Sequence, residues 1–219
     1  MRIILNLTKN QQLVPFDYQS KLVGRLHKWL GKNEIHDGMS LYSFSWLGEG
    51  KAKDKKGLNF PNGTTWTINS HDVDFLKTIV QNVQIDNEVA FGIFVNGVTI
   101  QEDPYFGSEH TFRVASPVFI KQRIGEAQKF FYHNDAESGS LLTKTLQNKL
   151  RKAGLEDNGV NVSFVADYPN AITKMITYKG VQNKASICPV HIKGSPEQIA
   201  FAWNVGVGNL TGIGFGSLI

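Results

Sequence analysis

Six histidines stand in the chain: His27, His36, His71, His110, His133 and His191. Imidazole is the side chain that moves a proton most readily near neutral pH, so these are the first residues to weigh as acids and bases. His36 falls in NEIHDGMSLYSFSW, in a loop between a helical stretch and a strand-like one. His27 lies on that helical stretch, about 140° round from the centre of its apolar stripe at roughly 100° per residue, beside the buried face and not within it. A ring at the edge of a helix face is, taken alone, more often packed or solvated than catalytic. His71 reads as the first residue of a helix capped by Ser70, and His110, His133 and His191 show no partner pattern.

Two further groups of residues invite a phosphate. KAKDKK, residues 51–56, carries Lys51, Lys53, Lys55 and Lys56 between Gly48, Gly50 and Gly57. It is a solvated loop or a phosphate-contacting one. GVGNLTGIGFGSLI, residues 206–219, places Gly206, Gly208, Gly212, Gly214 and Gly216 close together. A Walker loop needs Lys-Ser or Lys-Thr after its last glycine, and a dinucleotide fingerprint needs a helix and another strand downstream; both fail here. What remains is a glycine-rich turn between a helix and a terminal strand. Its bare N–H groups could bind a nucleic-acid backbone, or its glycines could allow tight packing on a neighbouring strand; spacing leaves both open.

Composition narrows the classes. Lys and Arg number 23 against 19 acidic residues, a net charge of +4, which permits a polyanion partner without requiring one. The single cysteine, Cys188, excludes an internal disulfide and a thiolate cluster and reads as a small core residue. Glu34, His36 and Asp37 are the nearest approach to a ligand set, but they share one short loop without helical register, so neither metal nor cofactor is expected. No apolar run is long enough to span a membrane and the first residues lack a signal peptide's pattern, so a cytoplasmic protein with no membrane contact is expected.

The elements that must position these residues follow from periodicity. MRIILNLT reads as a strand. DYQSKLVGRLHKWLG reads as a helix with Asp17 as N-cap, a stripe of Tyr18, Leu22, Leu26 and Trp29, and Gly31 as its stop. Residues 40–46 and 58–68 read as strands separated by the lysine loop. A second helix from Ser70 puts Val73, Leu76, Val80 and Val83 on one face, and EVAFGIFVNGVTI reads as a hairpin turning at Asn96-Gly97. The second half runs TFRVASPVFIK (strand), LLTKTLQNKLRKAG (helix), NVSFVA and SICPVHI (strands), a helix opened by the capping box SPEQ and running through Val205, and IGFGSLI (strand). The order predicts an α+β chain of two tandem ferredoxin-like βαββαβ domains, RRM-like in topology, over 1–110 and 111–219.

GVGNLTGIGFGSL resembles the C-terminal glycine-rich motif of the CRISPR-associated endoribonucleases of the RAMP superfamily, which cut repeat RNA within precursor transcripts. MRIILNL, YQSKLVGRLHKWL, LYSFSWL and FRVASPVFIK are similar to that family in the same order. The resemblance implies metal-independent cleavage by 2′-OH attack, leaving a 2′,3′-cyclic phosphate. It implies His36 as a catalytic histidine and His27 as its partner, with acid and base unassigned. It further implies RNA contacts along the cleft and basic face, for which Lys28, Lys32, Ser40, the four lysines of 51–56 and the five glycines are the candidates. Some members carry a lysine where Ser40 stands, so the charge stabiliser is open among Lys28, Lys32 and the lysine loop. The implied partners are CRISPR repeat RNA and other CRISPR-associated effector subunits; whether the chain dimerises is open. The alternative is a non-catalytic RNA-binding subunit of the same superfamily. Trp46, Trp66, Tyr105, Phe106 and Tyr132 are available to stack on bases, although such rings are more often core.

Overall fold

The computed structural model describes residues 1–31, 38–53 and 56–219. His36 and Lys32, and Lys55 of the lysine run, lie outside the described residues. In chain order the first half holds β1 (Arg2–Leu7), α1 (Gln19–Leu30), β2 (Tyr42–Phe44), β3 (Lys51–Lys53), β4 (Gly57–Asn59), β5 (Thr64–Ser70), α2 (Val73–Ile85), β6 (Glu88–Ala90) and β7 (Ile93–Gln101). The second holds β8 (Glu109–Phe112), β9 (Ile120–Ile124), β10 (Ala127–Phe131), α3 (Ser138–Lys152), β11 (Asn161–Phe164), β12 (Ile172–Tyr178), β13 (Val181–Ile187), β14 (Val190–Lys193) and α4 (Pro196–Val205), with a 3-10 turn at Thr211–Ile213.

The first sheet runs β2-β5-β1-β7-β6, all antiparallel. Leaving β6 aside, that is the ferredoxin-like order, with α1 and α2 side by side. The second sheet runs β11-β14-β8, the same order with its fourth place reduced to a bridge between Val114 and Leu218. The chain is therefore two ferredoxin-like units in tandem. Apolar residues from Ile3 to Val95 form one core and residues from Phe106 to Leu218 another, Cys188 among the latter.

Several elements differ from the sequence reading. Tyr18, not Asp17, precedes α1, in helical backbone with no side-chain cap. Asp72, not Ser70, caps α2, because its extended backbone lets the carboxylate accept from the Asp74 and Phe75 amides; Ser70 is the last residue of β5, and His71 precedes the cap. The α2 face buries Phe75, Leu76, Ile79 and Val83, while Val73 is exposed. Of the lysine run, Lys51 and Lys53 lie on β3, paired with β4 in a small hairpin rather than in a bare loop. The β6–β7 turn is at Phe91-Gly92, both at positive φ, while Asn96-Gly97 lies inside β7 beside the register slip against β1. TFRVASPVFIK and SICPVHI each break at a Ser116-Pro117 or Cys188-Pro189 step, since proline offers no N–H to a ladder. The terminal strand shrinks to the Leu218 bridge because positive φ at Gly214 and Gly216 interrupts extension.

Candidate active site

The α1 stripe fixes where His27 emerges. Tyr18, Leu22, Leu26 and Trp29 are all buried, which leaves the half-buried His27 at the edge of the packed face in the last turn. Gly31 ends the helix at a φ of 68°, its N–H reaching the His27 and Lys28 carbonyls. The chain returns to the described residues at Gly38 and runs into β2. There a pocket of about 220 Å³ opens, lined by His27, Gly38, Ser40, Tyr42, Leu210, Gly212 and Ile213. Of the residues singled out in the sequence, His27, Ser40 and Gly212 are thus brought together.

Tyr42 was not among them. Its side chain is buried, its hydroxyl donates to the Gly212 carbonyl at 3.2 Å, and it shares a hydrogen bond with Ser40. Burial pushes its pKa up to about 12, the Ser40 contact opposing and nearby Tyr178 adding to the shift. The phenol is therefore protonated at neutral pH and acts as a donor. Period-two alternation through Tyr42, Phe44 and Trp46 was the available signal, but it marks a buried face, not a polar group placed on it.

The glycine segment packs tightly. A Cβ on Gly212 would strike Ser40 Oγ and the Tyr42 hydroxyl, and one on Gly216 would overlap the Val207 carbonyl. Gly206, Gly208 and Gly214 lie against Gly216, Phe119 and Phe44 respectively. Amides of the segment are used internally as well: Val207 N–H donates to Gly216, Asn209 N–H to Phe119 and Gly216 N–H to Pro117. Of the five glycines, Gly212 is the one that lines the pocket.

The basic candidates among the described residues go elsewhere. Lys28 Nζ lies 2.7 Å from Asp86 Oδ2, at the far end of α2. Lys51, Lys53 and Lys56 are exposed on and beside the β3–β4 hairpin. That hairpin borders a separate cleft of about 560 Å³, lined among others by Phe16, Trp46, Leu58, Lys174 and Met175. Lys174 Nζ sits 4.9 Å from the Trp46 ring centre there. Trp66 and Phe106 are core residues, and Tyr105 is exposed. The remaining histidines contact second-half side chains: His71 stacks edge-on with Phe201, His110 packs on Phe106 and Phe112, His133 faces Phe164, and His191 bonds Thr111 at 2.8 Å.

Residues 100–218, more than half of the chain, match the family described as CRISPR associated protein Cas6, C-terminal. The chain belongs to the Cas6 family. A structure characterising a Cas6-related gene from Pyrococcus furiosus superposes with a TM-score of 0.86 at 19% identity, over 100% of this chain and 97% of its own. A RAMP protein binding different RNA substrates gives 0.85 at 19%, covering 100% and 99%, and a further Cas6 gives 0.83 at 19%, covering 100% and 98%. At such identity these superpositions establish the fold. No curated protein matches the sequence. None of the described helices is long and apolar enough to cross a membrane.

Proposed function

We propose that this Cas6-family chain cuts CRISPR repeat RNA in precursor transcripts without a metal ion. A ribose 2′-O–H gives its proton to a base as the oxygen attacks the adjacent phosphorus. The P–O5′ bond breaks, an acid protonates the departing 5′-oxygen, and the products carry a 2′,3′-cyclic phosphate and a 5′-OH. His27 and His36 supply acid and base, roles that imidazole performs near neutrality. The observation that carries this reading is the pocket where His27 faces Ser40, Tyr42 and Gly212. Gly38, which also lines it, is two residues from His36 in the sequence. The lysine hairpin is proposed to hold the RNA backbone outside the pocket, while the buried glycine segment shapes the pocket wall at Gly212; the two domains are proposed to divide about residue 110, where β8 opens the second.

The second reading is a non-catalytic RNA-binding subunit of the same fold, a fold shared with a RAMP protein described as binding different RNA substrates. Cleavage of labelled CRISPR repeat RNA from the same source, in excess chelator and with product ends analysed, separates the two readings. One cut leaving a cyclic phosphate supports the nuclease; tight binding without a cut supports the subunit. His36→Ala and His27→Ala are each expected to slow single-turnover cleavage by about 10²-fold or more with RNA affinity near wild type. A His36 variant cutting at the wild-type rate would remove that residue from the site.

A further inference from the structure

The pocket has two walls from distant parts of the chain. Gly38, Ser40 and Tyr42 form one, and Leu210, Gly212 and Ile213 the other. One helix of the second half holds both. Lys149 on α3 is 2% exposed, and its Nζ donates to the Val205 carbonyl at 3.0 Å, the Gly206 carbonyl at 3.1 Å and Thr211 Oγ1 at 3.1 Å. Lys152, three residues on and hence on the same helix face, donates from Nζ to the Met39 carbonyl at 2.8 Å. Each anchor point sits between two lining residues: Thr211 between Leu210 and Gly212, Met39 between Gly38 and Ser40.

The chemistry of Lys149 is unusual for a core position. Lysine is almost never fully buried, and an apolar side chain would fill the space without desolvating an ammonium. Here all three N–H donors are satisfied, two of them by carbonyls at the C-terminal end of α4, where the helix dipole favours a cation. The side chain thereby ties the start of the glycine segment to the turn that lines the pocket.

We propose that Lys149 and Lys152 are positioning residues of the candidate site, through which α3 sets the spacing of the two walls between which His27 meets the RNA. The proposal rests on the nuclease reading above. It predicts a loss in the rate of the bound complex rather than in binding, because the reacting groups need near-attack geometry whereas RNA affinity is spread over the basic surface.

The test measures single-turnover cleavage at saturating CRISPR repeat RNA, with affinity measured separately in a His36→Ala background. Lys149→Met and Lys152→Met are each expected to lower the saturated rate about ten-fold, with Kd within about three-fold of wild type. Lys152→Arg, which can still donate to the Met39 carbonyl, should restore most of the rate. Thr211→Val should give a smaller loss in the same direction, and with Lys152→Met it carries the test if Lys149→Met does not fold. Hydrogen exchange on the free protein should quicken at residues 206–214 in Lys149→Met and at 38–42 in Lys152→Met, and not elsewhere. Unchanged saturated rates in folded variants, or exchange that rises over the whole chain, would overturn the proposal. If the wild-type protein cuts no repeat RNA, the nuclease reading fails, and local exchange still decides whether α3 brackets the two walls.

Discussion

Tyr42 and Lys149 are two buried polar groups whose protonation states are set by the same cause, loss of water, with opposite consequences. Burial holds the Tyr42 phenol in its neutral form up to about 12. Tyr42→Phe therefore removes a donor to the Gly212 carbonyl and no proton-transfer group. Cleavage is expected to fall about ten-fold or less with an unchanged pH optimum; a shifted optimum in the measured pH–rate profile would make Tyr42 a titrating participant. For Lys149, burial is the sole cause that brings the pKa down from 10.5 to about 7. The neighbouring cations of its own helix are engaged, Arg151 with Asp157 at 2.8 Å and Lys152 with Met39, and beyond Thr211 lie Tyr42 and His27 in the pocket. Between pH 7 and 10 the unfolded chain keeps the lysine proton that the folded chain has released. The unfolded state then binds more protons, so this group's contribution to stability rises with pH across that window, and below it the cost of the buried charge is felt in full. Urea unfolding should show wild type gaining on Lys149→Met as pH rises from 7 to 10, by at most about 1.4 kcal/mol per pH unit. A constant difference would mean that the amine keeps its proton. A neutral amine can still serve the two carbonyls while Thr211 donates to its lone pair, so the tie between α4 and the turn survives titration.

At the scale of elements, α4 is the most local construction. Ser195 Oγ accepts from the Gln198 amide at 3.2 Å while Gln198 Oε1 accepts from the Ser195 amide at 2.9 Å, with Pro196 in the first turn. Ser195→Ala is expected to cost about 1 kcal/mol, lowering Tm by roughly 2–4 °C in a thermal melt. Because such a cap lies within four residues, the SPEQ signal located α4 through Val205 without tertiary information. The α1 stripe was legible for the same reason: a 3.6-residue period reports the buried face directly, and with it the place of His27 at the rim. The β12–β13 hairpin was not legible. Its strands are exposed on alternate and adjacent positions alike, so no alternation marks them, and their turn is carried by Lys179 and Gly180 at positive φ. The Asn96-Gly97 signal lost to tertiary pairing, since β1 extends past it to keep Leu5 and Leu7 in the core. The pocket was half legible. Glycines and histidines announce themselves by type, whereas Lys149 and Lys152 act on carbonyls 56 to 113 residues away, and nothing in a helical LQNKLRK distinguishes them from solvated lysines.

Across the whole molecule the two cores meet along a polar seam. Asn69 on β5 donates to Ser43 Oγ at 3.1 Å and to Ser217 Oγ at 3.0 Å, and Ser43 donates to the Asn204 carbonyl on α4 at 3.1 Å, all in buried surroundings. Arg2 is a further tie between the halves. It is 4% exposed on the central strand of the first sheet, its guanidinium lies 3.2 Å from the Trp203 ring centre, and it donates to the Leu218 carbonyl at 3.2 Å. A planar cation suits that place because it can stack and donate at once, which an ammonium cannot. Arg2→Ala removes the stack and leaves a buried carbonyl without its donor, at an expected cost of about 2–4 kcal/mol. Arg2→Lys should recover less than half of it. Since the tie joins β1 to α4 and the chain's end, both cores should weaken together. Native-state hydrogen exchange should report comparable losses of protection at Leu5 and Ile68 in the first core and at Val190 and Ile192 in the second. Loss confined to one core would mean that the halves fold independently. In that case the pocket, built from α1 and β2 of one half and the glycine segment of the other, would owe its shape to α3 and the polar seam rather than to Arg2.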